Sequence, residues 1–553
     1  MDNQKLFLLA AIGLTVFLLW DQWEIKQTTD ANGNTITQTS ITAFESDAQT
    51  GDIPSTAISN STTTDSVPSG IVESLPQDAF TTVTTDLLTV QISNRGGTIQ
   101  SAYLNAYNNE LDSEPTLQLL SSDSSKLFQA QSGLWPTEQL PDENAEYTSE
   151  QQSYFLDDSS ELVVPLTWHG DNGVVVTKNY RFTPNTYTIA VDYVVTNNSA
   201  DTQTAGTYTR LTRNAVDSGS SLMMQNFAGG AFYVKNAEDD GVFEKFDFDE
   251  FNEQPKTVST GGWAAMIQHY FFAAWIPDAS VPSTYTAKTQ QGNYVLTTVN
   301  NDTVNIAPGS QAILPSNELY VGPKEHVRLE NLAEGLDRTV DYSFLYIFAK
   351  PLSTFLHWIY SFIGSWGFAI ITVTFVIKLA FYKLSEKSYR SMAGMRKLAP
   401  RLAKIKETYG DDKQKIGKKT MELYKKEKVN PAAGCLPILV QIPVFISMYW
   451  VLQEMVELRH MSFFYLPDLS AKDPYYIMPL IMGASMWFQQ RLNPPPSDPM
   501  QAKIMMMLPI IFTVFFLFFP AGLVLYWVTN NLLSIAQQMY INNRYGEKKA
   551  TAE

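Results

Sequence analysis

The 553-residue sequence contains a single cysteine, Cys435, and only five histidines. One cysteine excludes an intramolecular disulfide and a cysteine-based metal site, and the histidines lack the spacing of metal ligands. The sequence also lacks a phosphate-binding glycine loop, an HExxH motif and the nucleophile elbow of hydrolases. These absences argue against redox and metal chemistry, and they predict a protein that is not an enzyme and needs no cofactor.

Basic residues are scarce in the N-terminal half, although the last third is rich in them. The formal charge of -17 therefore hides a polar, acidic first half and a second half in which long apolar runs flank a basic stretch. Apolar runs separated by Lys and Arg are typical of a polytopic membrane protein whose basic loops stay in the cytoplasm. The length also exceeds what one hydrophobic core organises, so at least two structural units are expected.

Residues 1–25 predict an uncleaved membrane anchor. The run from Leu6 to Trp20 is almost wholly apolar, and the large or charged residues from Trp20 to Trp23 do not suit signal peptidase. Lys5 before this run places the N-terminus in the cytoplasm. Residues 26–79 are rich in Ser, Thr, Asp and Gly, which predicts a flexible linker on the opposite side of the membrane.

Residues 80–340 predict a large all-β domain outside the cytoplasm. Apolar and polar residues alternate, as from Tyr187 to Val195, and turn sequences recur at Arg95-Gly96-Gly97, Asp171-Asn172-Gly173 and Gln291-Gly292-Asn293. Alternation with one buried face is typical of antiparallel sheets in a sandwich. The acidic, Phe-containing segment from Glu238 to Phe251 favours a solvated sheet edge with buried Phe over a calcium site, and a protein-docking edge stays open.

The remaining chain predicts helices in and on a membrane. Residues 341–364 favour an amphipathic helix in the interface, and residues 365–541 favour a core of five membrane helices. Residues 384–430 within this core predict a basic cytoplasmic hairpin of two helices that breaks near Gly410. With the anchor this makes six membrane helices, so both termini, including the tail 542–553, are expected in the cytoplasm. The five core spans are 366–382, 434–456, 475–490, 504–519 and 521–541.

Lys378 is the main candidate for a functional residue. A charged side chain in the hydrocarbon centre costs about 3 kcal/mol on insertion scales, so such a residue is a functional candidate by default. Thr374 lies one turn earlier, and Gln441, Ser485, Asn530 and Asn531 interrupt other spans. These residues favour a shared hydrated groove, but Lys378 could equally extend its stem to the cytoplasmic interface.

The basic hairpin has two interpretations. Its charges fit the positive-inside rule and attraction to anionic membrane lipids, and they also fit contact with ribosomal RNA or targeting components. The candidate contact residues are Arg396, Lys397, Arg401, Lys404, Lys418 and Lys419.

Five motifs stand out along the chain: Gly261–Met266, Ala274–Pro277, Tyr389–Arg396, Asn430–Pro437 and Phe519–Trp527. They resemble motifs of the YidC family of Gram-negative bacteria, and the resemblance covers essentially the whole chain. It implies an insertase of the bacterial inner membrane with a periplasmic supersandwich domain. The implied partners are newly made membrane proteins, the ribosome, membrane lipids, and the Sec translocon with its accessory subunits.

The same resemblance implies which residues contact the substrate in the groove. In one position the sequence departs from the family, because Lys383 stands where a proline is common at the end of the first core helix. Two other classes remain as alternatives, a solute transporter or channel, and a membrane-anchored carbohydrate enzyme. The implied substrate-contact residues are Thr374, Ile442, Pro443, Phe445, Tyr526 and Trp527.

Overall fold

Strands make up the first part of the described chain and helices make up the rest. The computed structural model describes residues 80–108, 116–136, 138–157, 159–214, 227–235, 241–342, 345–410, 412–427, 429, 436–493 and 499–546. The predicted anchor 1–25, the linker 26–79, Cys435 and the end of the tail lie outside these residues.

The strands follow one another with short connections. They are β1 (Phe80–Thr84), β2 (Leu88–Ser93), β3 (Ile99–Asn108), β4 (Thr116–Leu120), β5 (Phe128–Trp135), β6 (Thr148–Ser149), β7 (Ser153–Phe155), β8 (Leu162–His169), β9 (Val174–Phe182), β10 (Thr188–Asn197), β11 (Gln203–Asn214), β12 (Gly229–Lys235), β13 (Gly241–Asp247), β14 (Thr257–Thr260), β15 (Gly262–Ile267), β16 (Phe271–Ile276), β17 (Pro282–Gln290), β18 (Asn293–Asn300), β19 (Val304–Ile306), β20 (Ser310–Ile313) and β21 (Asn317–Pro323).

These strands form two sheets. The first has 11 strands in the order β14-β17-β18-β11-β5-β3-β2-β1-β7, with β19 beside β11 and β4 beside β3. The second has 10 strands in the order β13-β12-β15-β16-β21-β10-β9-β8-β6, with β20 beside β10. Nearly all the pairs are antiparallel, as the alternating pattern predicts, and the parallel pair β1–β7 is the exception. The inner faces of the sheets supply the hydrophobic core.

Strand β10 illustrates how the pattern builds this core. Ile189, Val191, Tyr193 and Val195 are fully or almost fully buried. Successive strand residues point to opposite faces, so these four share the inner face. At the β2–β3 turn, Gly96 has φ +67°, and an added Cβ would lie 2.4 Å from the Glu143 carbonyl oxygen. The turn therefore needs glycine at this position.

A fully buried lysine joins the two sheets. Lys178 on β9 donates to the carbonyl oxygens of Gly97 and Ser132, both at 2.8 Å, and of Gly96 at 3.2 Å. Burial lowers the pKa of Lys178 well below its usual value. Since the Nζ atom lies within hydrogen-bond distance of three carbonyl oxygens, the side chain is a structural crosslink of the sandwich.

The acidic, Phe-containing segment forms the edge of the second sheet where it is described. Strand β13 is the outermost strand, with Glu244 exposed. Phe246 and Phe251 are buried and pack edge to face, with ring centroids 5.1 Å apart. The arrangement agrees with a solvated edge over buried Phe; Glu238 lies outside the described residues.

The second half is helical. The described α-helices are α1 (His326–Leu332), α2 (Tyr346–Ile363), α3 (Trp366–Ala380), α4 (Tyr382–Tyr409), α5 (Lys413–Lys426), α6 (Leu436–Glu454), α7 (Ile477–Leu492), α8 (Pro499–Phe516) and α9 (Ala521–Gly546). Helix α9 packs against α3, α4, α6 and α7, so it is the centre of the helical region.

Helix α2 connects the β domain to the helical region. Its exposed face carries Ile347, Phe348 and other large apolar side chains. Lys350 Nζ lies 3.0 Å from Asp337 Oδ2, and His357 Nε2 lies 2.9 Å from Glu457 Oε1. The helix is therefore amphipathic, with its polar contacts directed at the protein.

Helices α3 and α4 meet at a bend of 67° around Phe381. No proline lies there, and Phe381 keeps a backbone hydrogen bond to the Ile377 carbonyl. The bend therefore forms with Lys383 in the position where the family resemblance leads one to expect a proline. Among the described residues, no single helix is long and apolar enough to cross a bilayer, and the bent pair of α3 and α4 meets the length and composition limits only when the two helices are taken together.

Candidate functional site

The polar residues of three helices meet around Lys378 of α3. Its Nζ donates to Ser534 Oγ of α9 at 2.8 Å and to Gln441 Oε1 of α6 at 3.4 Å. Gln441 Nε2 in turn donates to Asn530 Oδ1 of α9 at 2.8 Å. The four side chains form one connected network, which places a cation inside the helical region.

The spacing on α9 explains how this network forms. Asn530 and Ser534 are four residues apart, so they lie on the same face of the helix. Ser534 Oγ also donates to the Asn530 carbonyl oxygen at 2.7 Å, which orients its lone pairs for Lys378. On the next face, Asn531 Nδ2 donates to Ser485 Oγ of α7 at 3.2 Å. Helix α9 thus presents polar groups to two sides of the helical region.

Thr374 lies one turn before Lys378, but its hydroxyl is used differently. The residue is buried, and its Oγ1 donates to the Ile370 carbonyl oxygen of the same helix at 2.6 Å. Thr374 therefore contributes a small, satisfied side chain to the packing beside the network.

Aromatic side chains lie one turn further along α6. Phe445 is four residues after Gln441, and its ring packs edge to face on Trp527, with centroids 4.7 Å apart. Tyr526 is stacked on the other side of Phe445 at 6.0 Å. Ile442 and Pro443 precede Phe445 on α6 and are half-buried. Three of the implied substrate contacts, Phe445, Tyr526 and Trp527, therefore pack together as one aromatic cluster, one turn along α6 from Gln441.

The outer face of α3 is apolar. Phe375, Val376 and Leu379 are exposed, while the Lys378 ammonium points inward to α6 and α9. One side of α3 therefore carries a cation with polar partners, and the other side carries apolar side chains. The cation can attract a charged group, and the apolar side can contact a hydrophobic segment. This arrangement can support binding and transfer without any covalent step.

The six candidate residues of the basic hairpin fall into two groups. Arg396 donates to the carbonyl oxygens of Arg491 and Asn493 at the end of α7, and Arg401 pairs with Glu427 at 2.7 Å. Lys419 pairs with Glu422 at 2.7 Å. The other three form no ion pair among the described residues and are exposed: Lys397, Lys404 and Lys418.

Ser534 is the residue of this site that the sequence reasoning missed. A serine inside an apolar helix is unremarkable by itself, and only its position one turn after Asn530 could have indicated a shared polar face. In the described part of the chain, no group of three or more His, Cys, Asp or Glu could hold a metal ion.

Comparison with known proteins agrees with this arrangement of a β domain followed by helices. Residues 81–355 match the family described as YidC periplasmic domain, and residues 358–549 match the 60Kd inner membrane protein family. A solved structure of an active YidC insertase covers 84% of this chain and 93% of its own at 19% identity, with a TM-score of 0.38.

Full-length relatives are similar over nearly the whole sequence. The membrane protein insertase YidC of Ruthia magnifica is 57% identical, over 98% of this chain and 99% of the relative. The protein of the same name from Methylobacillus flagellatus is 43% identical, over 98% of this chain and 97% of the relative. The chain therefore belongs to the YidC family of membrane protein insertases.

Proposed function

We propose that this protein inserts hydrophobic segments of newly made proteins into the bacterial inner membrane through the polar groove, defined here as Lys378, Gln441, Asn530 and Ser534. The observation that carries the proposal is the hydrogen-bonded position of the Lys378 ammonium between α3, α6 and α9. An ammonium in this part of the chain is costly unless it has polar partners, and the groove supplies them.

Insertion through the groove requires a polar end of the substrate to leave the cytoplasm. Lys378 attracts an acidic or polar tail, which can exchange with the uncharged partners Ser534 and Gln441. The transmembrane potential adds about 2.3 kcal/mol per negative charge per 100 mV when the outside is positive. Because Lys378 draws the tail into the polar groove, the part of its path that crosses hydrocarbon is shorter.

The apolar helix of the substrate moves beside the groove. Phe445 and Trp527, with Ile442 and Pro443, are half-buried and give this segment an apolar surface, and Thr374 and Tyr526 are the buried members of the proposed contact set. No tight complex is needed, because lipid and protein are equally apolar and the segment leaves sideways.

The proposed topology follows the sequence pattern. Six membrane helices, comprising the anchor 1–25 and the five-helix core 365–541, place both termini in the cytoplasm. The domain 80–340 is then periplasmic, the helix 341–364 lies in the outer interface, and the hairpin 384–430 is cytoplasmic.

The groove is tested by reconstitution of the purified chain in liposomes. A single-span protein with a short acidic tail should become protected from protease only when the chain is present. If the liposomes hold folded chain and show no insertion, while the chain conducts a solute, the result would favour the transporter alternative.

The basic hairpin is proposed to contact the ribosome and anionic lipids, and the Sec translocon remains a further proposed partner. The double variant Lys397→Glu/Lys404→Glu should weaken co-sedimentation with ribosomes and flatten its dependence on salt, because phosphate contacts release counterions. Lys126→Glu/Lys256→Glu in the β domain makes the same change in charge and should bind like the unaltered chain. Unchanged ribosome binding with weaker binding to anionic liposomes would restrict the hairpin to a lipid contact.

A further inference from the structure

A buried ion pair joins the β domain to the far end of α6. Lys324 Nζ lies 3.6 Å from Glu454 Oε2, and both side chains are almost fully buried, with 1% and 4% exposure. The distance exceeds that of a hydrogen bond, so the contact is electrostatic. Burial lowers the pKa of Lys324, and the nearby Glu454 carboxylate opposes this shift.

The β domain places two residues near Glu454, Lys324 and His269, and strand pairing holds both of them. Lys324 directly follows β21 and donates its backbone N–H to the Tyr270 carbonyl oxygen at 2.8 Å. His269 lies in the β15–β16 turn, with its Nε2 3.8 Å from Glu454 Oε1. Strands β16 and β21 are adjacent, so this part of the pair has a fixed backbone.

His269 does not compete with Lys324 for the carboxylate at neutral pH. Burial lowers the pKa of His269 to about 3, and the nearby Lys324 charge adds to this effect. The imidazole is therefore neutral, and among the described residues Lys324 is the cation paired with Glu454.

Glu454 and the groove residue Gln441 lie on the same helix. Gln441 lies near the start of α6 and Glu454 is its last residue. They are 13 residues apart, which corresponds to about 20 Å along the helix axis at 1.5 Å per residue. Pro443 has no N–H to bond to the carbonyl of residue 439, so the helix lacks one backbone hydrogen bond across Gln441 and can bend there. The position of Gln441 then depends on how firmly the far end of α6 is held.

We infer that Glu454 and Lys324 are positioning residues, through which the β domain holds α6 so that Gln441 stays beside Lys378. The inference rests on the proposed function, because the groove is what the positioned helix serves. The segment after α6 has its own tie, since Arg459 donates to the Asn108 carbonyl oxygen at 2.9 Å. Loss of the ion pair should therefore loosen α6 without detaching the two parts of the protein.

The test measures the distance between spin labels in the absence of substrate. The labels replace Asp302, in an exposed loop of the β domain, and Val440 on α6, in a full-length chain carrying Cys435→Ser. The unaltered pair should give one narrow distance distribution. Glu454→Gln and Lys324→Gln should each broaden it and lower insertion about threefold to tenfold, as for contacts remote from a site.

Rescue distinguishes positioning from a general loss of stability. The charge-reversed variant Lys324→Glu/Glu454→Lys should restore the narrow distribution and insertion. The double variant Lys324→Met/Glu454→Met should fold, because apolar residues can replace a buried ion pair. Its distance distribution should nevertheless be as broad as that of the single variants. Glu422→Gln, in the exposed pair with Lys419, is the matched control and should change neither the distance distribution nor the amount of insertion.

A narrow distribution in the Met pair, or in both single variants, would overturn the inference. So would a folded charge-reversed variant that stays broad. Failure of the proposed function is recognised separately, since the unaltered chain would then show no insertion while the label distances still respond to Glu454 and Lys324.

Discussion

Lys378→Ala should lower insertion of a single-span substrate with an acidic tail by at least about tenfold, while Lys378→Arg should keep most of it. The substitution removes the cation and leaves Ser534 and Gln441 with no charged partner. A hydrogen bond to a charged group contributes about 1.5–3 kcal/mol, which corresponds to roughly 10- to 150-fold. Arginine retains the charge, so the attraction on the tail remains. Protease protection in proteoliposomes measures the effect.

Lys383→Ala is the matched control, because Lys383 is an exposed lysine just beyond the bend. It should insert the substrate as the unaltered chain does. A substrate whose tail carries no acid should show a smaller difference between the Lys378 variants. Equal insertion by Lys378→Ala and the unaltered chain would show that Lys378 has no role in insertion and that its side chain only extends to the cytoplasmic interface.

Lys178→Met should lower the free energy of unfolding of the β domain by about 3 kcal/mol or more. Methionine has a similar length but no donor, so the carbonyl oxygens of Gly96, Gly97 and Ser132 each lose a hydrogen bond, although Gly97 keeps the one from the Tyr180 hydroxyl. A buried acceptor left without a partner costs about 1–3 kcal/mol. The two sheets also lose their shared crosslink. Urea unfolding of the full chain in detergent, followed by tryptophan fluorescence, measures the change.

Lys126→Met is the control for this substitution, since Lys126 is exposed in the same domain. It should leave unfolding within about 0.5 kcal/mol of the unaltered protein. Unfolding of Lys178→Met at the same urea concentration as the unaltered chain would show that Lys178 does not hold the sheets together.

The sequence was sufficient to predict the fold class and the family. Alternation on β10 and glycines at the turns indicated antiparallel sheets, and both the sheets and the family matches confirm an all-β periplasmic domain followed by helices. The predictions of an insertase and of a protein that is not an enzyme are confirmed by the relatives. In the β domain, the alternation of apolar and polar residues indicates which face of a strand is buried, so the sequence was enough to predict the sheets.

Contacts between distant parts of the chain could not be predicted in the same way. The sequence marked Lys378 as unusual, but its bond to Ser534 depends on how α3 and α9 pack. Lys324 looked like an ordinary residue after a strand, and only the docking of α6 gives it Glu454. The roles of the groove residues and the limits of the domains remain predictions, because the contacts give the positions of the side chains and do not show substrate binding or the position of the membrane.

The order of strands in the second sheet has a consequence for biosynthesis. Strand β10 lies between β9, its neighbour in sequence, and β21, the last strand of the domain. The sheet therefore stays open along β10 until Pro323 has left the ribosome and crossed the membrane, and an open edge invites wrong pairing. Helices α3 to α9 follow β21 in the chain and are translated after it. The strand that completes this sheet is therefore made before the membrane helices, and the exported domain can close the sheet ahead of their insertion.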